Sequence, residues 1–153
     1  MKYINIAIIA LTITALFAAC HKAQDTHLPN AFTINETLYA TPHAAVVTAS
    51  GSYQLLTLSS GNATDSTSPK VTFAVDSIVT PWSYIPYDSS SPASYNSLIL
   101  AEVSYTDSTL KKLTQLTDGT LTIHKTNPTN YVIDYALVYD STFITGHYSG
   151  KVN

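Results

Sequence analysis

The chain has 153 residues, a single cysteine, no arginine and a formal net charge of −3. Without arginine, and with lysines scattered apart from Lys111-Lys112, it lacks the basic patch that nucleic acids require and the planar fork that grips phosphate bidentately. One cysteine also excludes an internal disulfide and a multi-thiolate zinc site.

Lys2 precedes an apolar run, Ile4 to Ala19, interrupted by Asn5, Thr12 and Thr14. The run is shorter than the ~20 residues of a spanning helix, and no charge cluster follows it. Ala18 and Ala19 supply the small residues of a signal-peptide cleavage site before Cys20. Leu16-Phe17-Ala18-Ala19-Cys20 resembles the lipobox of bacterial lipoproteins, with Phe17 where leucine is usual and Leu16 one place further out. The resemblance implies cleavage before Cys20 and a diacylglyceryl thioether on its sulfur. Each buried methylene then adds about 0.8 kcal/mol of bilayer affinity. The expected organisation is a signal peptide over 1–19, a lipidated Cys20 with a polar tether over 20–30, and one domain over 31–153. The implied location is the bacterial cell envelope, lipid-anchored at the outer membrane, on either its periplasmic or its outer face.

Thr, Tyr, Val and Ile are abundant and the helix formers Glu, Arg and Met scarce, which predicts an all-β domain. Strands are expected over 31–40, bent near Asn35-Glu36, then over 43–49 and 52–58, with a turn at Ser50-Gly51. Residues 59–69 hold Gly, Asn, Asp, Ser, Thr and Pro with almost nothing to bury, as in a mobile loop. A strand over 70–79 turns Val71, Phe73 and Val75 to one face. Residues 80–96 read as a serine-rich loop studded with Pro and aromatics, and 97–106 as a central strand. Leu110, Leu113 and Leu116 at three-residue spacing predict one short helical turn near 108–116. Strands over 120–125, 130–140 and 143–152 form an antiparallel meander, with Tyr131, Ile133, Tyr135, Leu137 and Tyr139 on one face. Gly146 and Gly150 share a face where a missing side chain can admit a neighbouring ring. Together these predict an antiparallel β-sandwich or flattened barrel of about eight or nine strands.

Gly119-Thr120-Leu121-Thr122-Ile123, Tyr131-Val132-Ile133-Asp134-Tyr135 and Ile144-Thr145-Gly146-His147-Tyr148-Ser149-Gly150 resemble the C-terminal half of small Bacteroidota lipoproteins of uncharacterised function. The resemblance covers residues 119–152 and implies an all-β, sometimes lipocalin-like domain. It carries no catalytic or binding residue with it. Asp65-Ser66-Thr67, Asp107-Ser108-Thr109 and Asp140-Ser141-Thr142 resemble the O-glycosylation triplets of that phylum, making Ser66, Ser108 and Ser141 candidate acceptors. Such triplets also arise readily in a chain this rich in Ser and Thr.

No catalytic or metal-ligating set emerges from the spacing. The histidines lack the i, i+2 or i, i+4 pairing that would place two imidazoles on one face. His124 and His147 fall on the outward faces of two meander strands, where they can be neighbours but are expected to be part of a solvated sheet face. No serine stands in a G-x-S-x-G elbow, and no cofactor is implied. The sharpest binding feature is the aromatic loop, where Trp82, Tyr84, Tyr87 and Tyr95 among prolines can form a stacking platform or fold inward as core. The preferred expectation is a non-enzymatic, envelope-anchored β-domain that binds or presents a protein partner or a glycan. A lipocalin-like carrier of a small apolar ligand and a hydrolase with an unrecognised site are the alternatives.

Overall fold

The structure, a computed structural model, describes residues 29–49, 53–62, 64–76, 78, 81–86 and 97–153. Among them are eleven strands and no helix: β1 Ala31–Ile34, β2 Thr37–Ala40, β3 His43–Thr48, β4 Gln54–Ser59, β5 Lys70–Val75, β6 Trp82–Pro86, β7 Ser97–Asp107, β8 Thr109–Leu113, β9 Asp118–Lys125, β10 Asn130–Tyr139 and β11 Thr142–Lys151. They form two sheets packed as a sandwich, without barrel closure. The first sheet runs β2-β1-β11-β10-β9-β6 and the second β7-β5-β4-β3, with β8 lying beside the second half of β7. β6 belongs to both, antiparallel to β9 and parallel to β7. On the opposite flank a single bridge joins Ala44 to Val152, reinforced by Val46 N–H to the Asn153 carbonyl (2.9 Å) and Asn153 N–H to the Ala44 carbonyl (3.1 Å).

Alternation along each strand decides what is inside. Cross-strand partners share a face, so the register aligns Tyr39, Phe32, Gly146, Tyr135, Leu121 and Tyr84 as one inward row across the first sheet. Gly146 is the gap in that row: a Cβ there would collide with the Tyr135 ring. The second sheet answers with Leu56, Leu58, Val71, Phe73, Ala101 and Val103, all buried. Phe73 and Tyr135 meet edge to face across the interior with centroids 5.0 Å apart. Buried phenols need partners. Tyr139 Oη donates to the Ala101 carbonyl at 2.7 Å and Tyr148 Oη to the Lys151 carbonyl at 2.6 Å. The Tyr135 hydroxyl is buried without a partner.

Two sequence expectations change. Residues 108–116 are not a helical turn: the chain reverses at Ser108 (φ 60°), and β8 pairs antiparallel with β7 from Asp107↔Thr109 to Val103↔Leu113. Asp107 and Lys111 meet as an i, i+4 pair would, but across a hairpin (2.9 Å). Leu110 is 44% exposed, so the leucine spacing reflects no buried helical face. The strand count rises to eleven because 31–40 is a two-strand hairpin, with Asn35 (φ 47°) and Glu36 (φ 67°) both left-handed, and because β6 and β8 are strands. β7 carries a register shift opposite Ala74/Val75. That bulge lets Leu98 and Ala101 both face inward while Ile99 (45%) and Leu100 (40%) face outward.

The 60–69 loop is held by its own polar groups. Ser60 N–H bonds the Pro69 carbonyl (3.0 Å), and Asp65 Oδ1 accepts from both the Thr67 N–H (2.8 Å) and its hydroxyl (2.7 Å).

Candidate functional site

Of the four aromatic residues singled out over 82–95, Tyr84 alone has a described side chain. Tyr84 is fully buried, because β6 pairs with β9 in the register Tyr84↔Leu121 and so delivers its ring to the inward row. It is a core residue. Trp82, also on β6, pairs in register with Ile123 of β9. Tyr87 and Tyr95, like Cys20, the leader and most of the tether, lie outside the described residues. Ser66, Ser108 and Ser141 are all exposed, each in a turn. Two of the three preceding aspartates have structural work: Asp107 pairs with Lys111, and the Asp65 carboxyl is held below the usual carboxylate range by the N–H and hydroxyl of Thr67.

His124 and His147 are not neighbours. β10 runs between β9 and β11, placing Val132 opposite His124 and Asp134 opposite His147. His147 Nδ1 instead contacts Asp134 Oδ1 at 2.7 Å on the outer face of the first sheet. Among the described residues no three His, Cys, Asp or Glu side chains cluster as metal ligands.

What the fold does bring together lies at one end of the sandwich. The β1–β2 turn at Asn35-Glu36, the β7–β8 turn at Ser108 and the β10–β11 turn at Asp140-Ser141 all need left-handed backbone, and all belong to this end. β8 forms a ridge between two grooves. One, of about 390 Å³, lies between the β1–β2 turn and the β7–β8 hairpin and is lined by Asn35, Thr37, Tyr39, Tyr105, Asp107 and Lys111. The other, of about 520 Å³, lies between Lys112–Thr117 and the β10–β11 turn, with Gln115, Tyr139 and Ser141 on its walls.

The smaller groove is the better built. Tyr39 stacks on Phe32 (centroids 5.1 Å, planes 18° apart) and meets Tyr105 edge-on at 5.6 Å. Lys111 Nζ sits 5.9 Å from the Tyr105 ring centroid while bonded to Asp107. Loss of solvent, then the nearby Asp107 carboxylate, pushes the Tyr39 phenol above its ordinary value, so it stays a neutral donor. The hydrogen bond that Lys111 donates to the Asp107 carboxylate likewise raises Lys111 above its ordinary value. No protein-family model matches the chain, and comparison with curated proteins and with solved structures gave no match.

Tyr39 and Tyr105 were not singled out by the sequence, where each is one aromatic within an alternating strand. The one local signal was the Asp107-Ser108-Thr109 turn, which marks the rim but not the rings.

Proposed function

We propose that the chain is an envelope lipoprotein, held by acyl chains on Cys20, whose β-sandwich binds or presents a partner without catalysing a reaction. The lipobox-like Leu16–Cys20 segment supports the anchor. The observation that carries the binding role is the pair of grooves flanking β8, which combine aromatic rings, hydroxyls and amides at one end. β1 starts beside Ser149 and runs toward that end, so a tether entering at Pro29-Asn30 leaves the grooves clear. The 8 residues between Cys20 and Pro29 give the domain a reach of roughly 30 Å from the bilayer.

A lipocalin-like carrier is less well supported, because the crossing rings of Phe73 and Tyr135 occupy the interior where such a ligand would lie. A hydrolase reading has only the Asp107–Lys111 pair in the smaller groove, and those charges neutralise each other.

Two measurements test the proposal. Palmitate should label the wild-type chain and not Cys20→Ala; an unlabelled wild type removes the anchor. A photo-reactive residue placed at Ser141 should give cross-linked adducts in cells, and the same residue at Thr129, on the opposite end, should not. Adducts from Thr129 alone would move the binding end.

A further inference from the structure

We propose that the groove between the β1–β2 turn and the β7–β8 hairpin is a subsite for a neutral sugar, with Tyr39 as its stacking surface. The inference rests on the reading of this end as the binding end and specifies what binds there.

The Tyr39 ring is prepared for stacking by its position. Phe32 on β1 covers one face at 5.1 Å. β2 is the last strand of its sheet, so among the described residues no further strand stands against the other face. Tyr105, buried and edge-on, fixes the ring's tilt, so little motion is lost when a ligand settles. The negative face of an aromatic ring attracts the weakly positive C–H groups that a pyranose presents on its apolar side. A groove of about 390 Å³ accommodates one or two such rings.

The polar groups around the ring favour a neutral ligand. Asn35, Thr37 and Thr106 are exposed on the groove, and amide and hydroxyl groups both donate and accept, as sugar hydroxyls do. The groove's formal charges, Asp107 and Lys111, already bond each other at 2.9 Å. An anionic or cationic ligand would have to open that pair, whereas a polyol need not. No arginine is present to grip a phosphate or carboxylate.

The test is calorimetric titration of the purified full chain in detergent with neutral hexasaccharides of glucose, mannose, xylose and galactose, and with polygalacturonate as the anionic probe. At least one neutral hexasaccharide should bind, with an affinity unchanged between low and high salt. Tyr39→Leu should weaken it about tenfold while Tyr39→Phe retains it. Asn35→Gly, which removes the amide and keeps the left-handed turn, gives a second loss of affinity that does not depend on the ring's packing. Binding of no neutral sugar, salt-sensitive binding of polygalacturonate alone, or neutral binding that both Tyr39→Leu and Asn35→Gly leave unchanged would overturn the assignment. Cross-linking at Ser141 without sugar binding overturns the sugar and keeps the binding end, whereas loss of both overturns both.

Discussion

A methyl group at Gly146 would fall inside the Tyr135 ring, and that ring has nowhere to retreat, because Phe73 meets it from the other sheet. Gly146→Ala is therefore expected to destabilise by about 3 kcal/mol, an overpacking cost read as a lowered urea midpoint. The same ring carries a hydroxyl that is buried without a partner. Removing it relieves a desolvation penalty, so Tyr135→Phe should leave stability unchanged or raise it by about 1 kcal/mol. Tyr139 is the contrasting case: its hydroxyl satisfies the Ala101 carbonyl across the core, and Tyr139→Phe should cost about 1 kcal/mol. A Tyr135→Phe variant as damaged as Tyr139→Phe would show that the Tyr135 hydroxyl has a partner after all.

At the scale of elements, the β1–β2 hairpin is the most revealing piece. Its two-residue turn puts Glu36 at φ 67°, a conformation that glycine adopts without strain. Glu36→Gly should stabilise by about 0.5–1 kcal/mol, and an unchanged thermal midpoint would count against left-handed backbone at that position. The start of β1 is clamped by Asn30, whose amide donates to the Ser149 carbonyl (3.1 Å) and accepts from the Ser149 N–H (2.8 Å), imitating a peptide unit of the ladder.

The strands that hydrophobic alternation could announce were legible in the sequence: β3, β5 and β10 lie inside the expected stretches, and β4, β7, β9 and β11 overrun theirs by one or two residues. β6 was not, because Pro81 and Pro86 bracket it and its neighbours are residues far along the chain. β8 looked helical because Leu110 and Leu113 are three apart, a spacing that in a strand places them on opposite faces; only the reversal at Ser108 decides between the two. The groove was illegible for a different reason. Tyr39 and Tyr105 lie on different sheets, and nothing local to either says that they meet.

Across the whole molecule, burial of phenols gives stability a pH limit on the alkaline side. Burial raises Tyr135 and Tyr139 well above the ordinary phenol value of 10.0. Above about pH 10 the unfolded chain has released these protons while the folded chain still holds them. The folded state then binds more protons than the unfolded, so stability is full below that pH and falls as the pH rises further. Equilibrium unfolding in urea from pH 8 to 12 should show the midpoint fall beginning near 10, and Tyr135→Phe should make that fall shallower. The pairing of the first strand with the last also has a consequence for how the molecule is made. Asn30 and Ser149 are 119 positions apart, and β1 finds its partner β11 only when residues 142–151 have emerged. Contacts so distant in sequence form slowly, on the millisecond-to-second scale typical of all-β topologies. The hairpin that carries Tyr39 thus docks late, after the chain has been synthesised to its final strand. A chain cut short before β11 would have a Tyr39 hairpin with no sheet to join, so ligand capture would report on completion of the chain.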